Sequence, residues 1–234
     1  MPARPFDYFR IREVRSFAEL VSTPLRDGVN ALCWTRSLAG DFGEVAAQLA
    51  IRDEGIHELD EERLRALPLT AAGRLAVEAM LGDFRLLRDR QLDPVLNYIN
   101  GCTRDDEHAI VATDVFSFHA DRAPVAIDTY LCTYFGPSSE GLRNEDVQRR
   151  VDHPPTRARL LELYGGKDDD GFGEFLSDHS YDLHYAPAAE AQPFSFGNFN
   201  LWRIALDYPG NPVPPCIHRA PETRPGETRL LLIS

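Results

Sequence analysis

The stretch Val115-Phe116-Ser117-Phe118-His119-Ala120-Asp121 carries the fold prediction, because its polar and apolar residues alternate. A period of two is typical of a β-strand, in which successive side chains point to opposite faces. His119 and Asp121 therefore share one face of the predicted strand. An imidazole and a carboxylate two residues apart can bind one metal ion from the same side. The sequence thus predicts a strand that carries two ligands of a metal site.

Further short β-rich runs follow the same pattern in the second half of the chain, and the strand prediction covers residues 110–121, 125–135, 194–206, 213–218 and 229–233. These runs follow one another without crossover helices, which favours a barrel over a doubly wound sheet. Between Phe17 and Arg90 the apolar residues instead recur at three and four, the helical spacing. Thr70 is a suitable N-cap for the longest of these helices.

The predicted fold class is therefore α+β, organised as one structural domain. Residues 1–105 form an N-terminal helical region packed on the barrel, and residues 106–234 form the core. An insertion at 136–192 interrupts the core and has a loop composition around Gly165. Long insertions of this kind often cover a functional site.

The net charge of -12, from 37 acidic and 25 basic residues, disfavours nucleic acid and anionic membranes as partners. No apolar run reaches the roughly 18 residues of a membrane span. The four cysteines are widely spaced, and the N-terminus does not resemble a signal peptide. We therefore expect reduced thiols and a cytoplasmic protein, whose oligomeric state stays open.

A second imidazole is needed to complete the metal site, and His218 at the end of a β-run is the best candidate. His57, His108 and His153 lie in charged or proline-flanked segments typical of surface loops. His179 and His184 could form a separate metal site, although a spacing of five matches neither a helix face nor a strand face.

The segment Arg224-Pro225-Gly226-Glu227 predicts a type II turn and a hairpin between its flanking runs. In that hairpin Glu222 lies opposite Arg229, and His218 lies about 13 Å away at roughly 3.3 Å per residue. A five-carbon diacid bound to the metal could bridge such a gap, because guanidinium grips a carboxylate through two parallel hydrogen bonds. Arg229 could instead pair with Glu222.

This pattern, His-x-Asp followed by a distant His and an Arg about ten residues later, resembles the iron(II)/2-oxoglutarate-dependent dioxygenases. The resemblance covers roughly residues 106–234 and implies a double-stranded β-helix, a cupin-like jelly-roll barrel. It implies that Fe(II) is bound by His119, Asp121 and His218, and that Arg229 binds the distal carboxylate of the co-substrate 2-oxoglutarate. The phrases around His119, Tyr134 and His218 also resemble a bacterial domain family of unknown function built on the same barrel.

One position departs from the dioxygenase pattern. Many members place a Ser two residues after the Arg, where this chain has Leu231. We expect another hydroxyl to replace it, from Thr133 or Tyr130. Because Asp121 is retained, the resemblance implies hydroxylation or a related oxidation rather than halogenation. Arg122, beside the ligand strand, either binds an acidic substrate or pairs with Asp128.

The expected function is oxidation of a small molecule with dioxygen as the second substrate. Two alternatives stay open at this point. One is a metal-dependent dioxygenase that uses no keto acid, since two imidazoles and a carboxylate also suit Zn(II), Mn(II) or Co(II). The other is a non-catalytic cupin-like ligand-binding protein.

Overall fold

The computed structural model describes residues 5–102 and 109–234, and these ranges contain twelve strands and six α-helices. The strands are β1 (Ile11–Val14), β2 (Ala31–Trp34), β3 (Gly55–Leu59), β4 (Val95–Asn100), β5 (Asp128–Phe135), β6 (Glu140–Leu142), β7 (Val147–Arg149), β8 (Tyr185–Pro187), β9 (Phe194–Ser195), β10 (Leu201–Ala205), β11 (Ile217–Arg219) and β12 (Thr228–Ile233). The α-helices are α1 (Phe17–Ser22), α2 (Phe42–Leu49), α3 (Glu61–Ala66), α4 (Ala71–Arg88), α5 (Pro154–Tyr164) and α6 (Asp170–Asp178).

Seven of the strands form a large mixed sheet in the order β1-β2-β10-β5-β12-β4-β3. Only the β1–β2 pair within it is parallel. A smaller sheet has the order β11-β6-β9, and His119 extends it through antiparallel bridges to His218 and His184. Strands β7 and β8 form a separate pair.

The two faces of the large sheet pack against different layers. Tyr130 and Cys132 on β5 join a hydrophobic cluster with α2 and α4, whereas Leu131 between them joins Phe194 and Phe196 on the small-sheet side. This alternation follows from the period of two. The small sheet and the helices therefore cover opposite faces of the same strands.

Helix α4 forms where the apolar spacing predicts it. The Thr70 hydroxyl accepts a hydrogen bond from the Gly73 amide, which confirms the predicted N-cap. Val77, Met80 and Leu81 face the core. No helix within the two described ranges is both long enough and apolar enough to cross a membrane.

The N-terminal region differs in part from its prediction, because four strands accompany its four helices. Strand β2, Ala31-Leu32-Cys33-Trp34, is buried on both faces and so lacks the alternation that marks a half-exposed strand. These strands extend the large sheet, so this region is more than a helical layer. The predicted boundary between residues 105 and 106 lies outside the described residues.

The predicted hairpin between the runs that carry His218 and Arg229 is wrong. Its turn is present, since the Glu227 amide donates to the Arg224 carbonyl at 2.8 Å and Gly226 has a φ of 87°. However, β11 pairs with β6 in the small sheet, whereas β12 pairs with β4 and β5 in the large one. The turn is part of a crossing from one sheet to the other.

The strand predicted over residues 110–121 is not formed, and in its place this segment makes only isolated bridges at His119. The Asp114 side chain accepts hydrogen bonds from the amides of Phe116 and Ser117, which curls the chain into a turn just before the site. Only from Phe118 onward does the backbone pair as in a sheet. The alternation around Ser117 therefore does not reflect an extended strand.

Candidate metal centre

The three predicted ligands come together at the edge of the small sheet. His119 and His218 exchange two backbone hydrogen bonds of 2.9 Å, which sets their imidazoles side by side. Asp121 follows two residues later, with its carboxylate oxygens 3.5 Å from His119 Nε2 and 3.6 Å from His218 Nε2. One ligand atom from each residue lies within 4.8 Å of the others, an arrangement that can hold a metal ion.

Hydrogen bonds to the other ring nitrogens orient both imidazoles. His119 Nδ1 lies 2.8 Å from the Ser117 carbonyl oxygen, and His218 Nδ1 lies 3.3 Å from that of Cys216. Each contact favours the tautomer with the proton on Nδ1 and leaves Nε2 free to bind a metal. Thr129 on β5 donates to Asp121 Oδ2 at 3.3 Å. The site therefore has the outer hydrogen bonds that ligating residues commonly need.

Burial and mutual charge shift the protonation of this cluster. Burial alone would raise the pKa of Asp121, but the neighbouring His218 and His119 hold it well below its usual range. Burial lowers the pKa of His218 to about 4. The ionised Asp121 beside the neutral His218 is the protonation state that metal binding requires. Burial alone would lower the pKa of His119, but its hydrogen bonds to Asp121 and to the Ser117 carbonyl raise it, so a metal ion must displace a proton from this ring.

The spacing of the donor atoms fits a first-row divalent ion. Metal–ligand distances of roughly 2.1 Å place neighbouring donors about 3 Å apart around an octahedral ion. The three ligand atoms lie within 4.8 Å of one another, with Asp121 Oδ1 3.5 Å from His119 Nε2 and Asp121 Oδ2 3.6 Å from His218 Nε2, so the donors must move inward to bind an ion of this size. Two imidazoles and one carboxylate form the ligand set of non-heme iron sites, although the donor types do not exclude other divalent metals.

His184 also lies at this site, which the sequence did not predict. The backbone of residues 183–185 pairs with residues 118–120, and the His184 ring centroid lies 5.7 Å from that of His119. His179 is elsewhere, stacked on Tyr181 with its Nδ1 on the Phe175 carbonyl oxygen. Of the described residues, only His119, Asp121 and His218 form a potential metal cluster, so the separate His179–His184 site is not formed.

A cavity of about 250 Å³ opens beside His119 and Asp121. His184, Ser180 and Asp114 contribute to its lining, and Arg122 forms part of its wall. Thus the predicted insertion, at 136–192, supplies one side of the cavity through residues 180–184.

Arg122 does not pair with Asp128, which instead binds Arg203. The Arg122 guanidinium contacts Asp182 at 2.6 Å and Asp207 at 2.8 Å. Two carboxylates already neutralise this cation. Its predicted role in binding an acidic substrate therefore gains no support from its surroundings.

Arg229 lies between the two sheets and is 2% exposed. Its guanidinium donates to the Pro137 carbonyl at 2.8 Å and to the Ser139 hydroxyl at 3.4 Å. No carboxylate of the described residues lies within ion-pairing distance, so the alternative pair with Glu222 is not formed. Burial lowers the pKa of Arg229 to about 10. Such a cation is well suited to receive an anionic ligand.

The two hydroxyls predicted to assist Arg229 lie on opposite faces of β5. Thr133 is paired with Leu231 on the side toward the small sheet, whereas Tyr130 packs in the helix-facing core. The hydroxyl that contacts Arg229 belongs to Ser139, which the sequence reasoning missed. The signal was available in Gly136-Pro137-Ser138-Ser139, where a turn directly after a strand carries two hydroxyls.

Comparison with known proteins returns no family model, no curated protein and no solved structure that matches this chain.

Proposed function

We propose that this protein is a non-heme iron(II)/2-oxoglutarate-dependent oxygenase of the cytoplasm that oxidises a small molecule. The main support is the convergence of His119, Asp121 and His218, with Nδ1 of each imidazole engaged by a backbone carbonyl. His119, Asp121 and His218 would bind the iron. Bound Fe(II) would use dioxygen and 2-oxoglutarate to oxidise the substrate, releasing succinate and carbon dioxide.

Arg229 supports the use of a dicarboxylic co-substrate. Within the described ranges no carboxylate pairs with the buried Arg229 guanidinium, which is costly, and a ligand carboxylate would relieve that cost. Ser139, the hydroxyl partner of Arg229, lies two residues before Gly141 in the chain. Gly141 in turn pairs directly with His218. Two residues span about 7 Å along a strand, a length comparable to a five-carbon diacid. The proposed role of Arg229 is to bind the distal carboxylate.

The strand order supports a double-stranded β-helix as the scaffold of this site. Along the chain, β5, β10 and β12 lie in the large sheet, while β6, β9 and β11 lie in the small one. A chain that alternates between two facing sheets is typical of jelly-roll folds. In that arrangement the side chains of His218 and Arg229 would both face the space between the sheets.

Anaerobic titration tests the proposal. Wild-type protein with Fe(II) and 2-oxoglutarate should give a weak visible charge-transfer band, and His218→Ala should abolish it. Iron binding without the band would favour a dioxygenase that uses no keto acid. Failure to bind any divalent metal would refute the enzyme proposal and favour a ligand-binding protein.

A further inference from the structure

His184 is a buried imidazole that the proposed metal site does not use. It is 4% exposed, and its Nδ1 has no hydrogen-bond partner among the described residues. His119 and His218 differ in this respect, since each has its Nδ1 on a backbone carbonyl oxygen. A buried polar atom without a partner costs roughly 1–3 kcal/mol. Such a group in a native protein often marks a position where a ligand or water binds.

The position of His184 indicates which ligand would meet it. Its ring lines the 250 Å³ cavity together with His119 and Asp121. Antiparallel pairing of His184 with His119 fixes its backbone beside the metal ligands. Rotation of the ring by a half-turn exchanges Nδ1 with a carbon, so either edge of the imidazole can present a nitrogen to the cavity. A molecule next to the metal would therefore lie within reach of this ring.

The ligand atoms of the metal cluster do not include those of His184. The three clustered residues have ligand atoms within 4.8 Å of one another, and His184 is outside that group. Its ring centroid is 5.7 Å from that of His119, against 4.6 Å for His218. The geometry thus favours contact with a bound molecule over direct coordination.

The lining also limits the charge of that molecule. Asp114 and Asp121 are acidic, and the cation Arg122 is held by Asp182 and Asp207. Apart from the proposed metal ion, a carboxylate or phosphate group in the cavity would find no unpaired cation among the described lining residues. A volume of 250 Å³ admits only a small molecule. An uncharged ligand with a hydroxyl or amide group fits both limits.

We propose that this cavity binds a small, uncharged polar substrate and that His184 orients it by a hydrogen bond. This inference rests on the proposed function, because the cavity gains its role from the metal beside it. His184 is then a substrate-contacting residue rather than a fourth metal ligand.

The test uses Co(II) as a spectroscopic metal and imidazole as the probe. Imidazole is small and uncharged, and it can bind the metal through one nitrogen while its N–H remains available for a hydrogen bond. The variant His184→Phe keeps an aromatic ring but removes both nitrogens, and His184→Leu serves if the first variant does not fold. His184→Asn and His184→Gln restore an amide near the Nδ1 or the Nε2 position. His179→Phe is the matched control, five residues away in the same segment.

We expect every variant to bind Co(II) within twofold of wild type. The dissociation constant for imidazole, measured from the visible spectrum, should rise about fivefold in His184→Phe, the effect of one neutral hydrogen bond. At least one amide variant should restore it, and His179→Phe should leave it unchanged.

Two results would overturn the inference. A loss of Co(II) affinity of tenfold or more in His184→Phe and His184→Leu would identify His184 as a metal ligand. An unchanged imidazole affinity in those variants would reduce His184 to a packing residue. A wild-type protein that binds no metal would instead refute the proposed function, and this inference with it.

Discussion

Replacement of Arg229 by Met should weaken keto-acid binding strongly while leaving the fold almost as stable as before. The pKa of Arg229 falls from 12.5 to about 10 because of burial, which corresponds to about 3 kcal/mol against the charged form. Met removes that cost and retains an apolar side chain of similar length. Met also loses the hydrogen bonds of the guanidinium to Pro137 and Ser139. The loss of hydrogen bonds from a charged donor lowers the free energy of unfolding by roughly 1.5–3 kcal/mol. The two effects nearly cancel.

We therefore expect the free energy of unfolding of Arg229→Met to lie within about 2 kcal/mol of wild type. The affinity for 2-oxoglutarate should fall at least about 30-fold, because a charge-assisted carboxylate contact typically contributes 2 kcal/mol or more. Urea denaturation of the metal-free protein measures the first quantity. Anaerobic calorimetric titration of the Co(II)-loaded protein with 2-oxoglutarate measures the second.

Arg203 provides the control, since it is a half-buried arginine with a carboxylate partner. It pairs with Asp128 at 2.7 Å and donates to three backbone carbonyls near the end of α1. Arg203→Met leaves the half-buried Asp128 without its partner and should cost about 3 kcal/mol. The reasoning is refuted if Arg229→Met is as destabilising as Arg203→Met and still binds 2-oxoglutarate normally. That result would make Arg229 a structural residue.

Three further predictions concern the metal, the pH dependence and the turn beside Arg229. A divalent metal at a hundredfold excess over its dissociation constant should stabilise wild type by about 2.7 kcal/mol. For 234 residues this raises the melting temperature by about 5 °C. His218→Ala should show no such shift in a thermal melt. In the presence of EDTA, the contribution of His218 and His184 to stability should be full above pH 6.5 and fall toward pH 4 by up to about 1.4 kcal/mol per pH unit for each of the two. Burial lowers the pKa of both to about 4, so only the unfolded chain takes up these protons. The raised pKa of His119 acts in the opposite direction, since its contribution is lost as the pH rises. His184→Gln should reduce that slope by about half in urea titrations, and an unchanged slope would contradict the assignment. Gly136→Ala should cost about 1–3 kcal/mol and weaken 2-oxoglutarate binding, since Gly136 has a φ of 80° and a Cβ would collide with the Thr228 carbonyl oxygen. Gly165→Ala, also at positive φ but with open space around it, should be strained without affecting binding.

Local spacing in the sequence was sufficient to predict the core of the candidate site. His119 and Asp121 are two residues apart, so any nearly extended backbone brings them to the same side. The helical period and the Thr70 cap likewise depend on neighbours within one turn. These features survive even where the predicted strand over residues 110–121 is replaced by a turn at Asp114.

The parts that could not be predicted depend on pairing between distant segments. His184 reaches the site because residues 183–185 pair with residues 118–120, which are 65 positions away in the chain. Strands β1 to β4 join the large sheet through partners from the far end of the sequence, such as β10 and β12. Short buried strands carry little periodic signal, so their pairing partners are not visible in a single sequence.

The hairpin predicted between His218 and Arg229 is wrong, and Ser139 was not predicted, for the same physical reason. Because β11 and β12 lie in different sheets, His218 and Arg229 do not lie along one ribbon, and counting residues around the turn gives no distance between them. The same crossing brings Arg229 against the segment that leads into β6, where Ser139 lies. The position two residues after Arg229 then need not supply a hydroxyl, since the neighbouring segment does. Leu231 instead joins the hydrophobic cluster between the sheets. The departure at Leu231 therefore does not weaken the co-substrate proposal, which depends on Arg229 and Ser139 together.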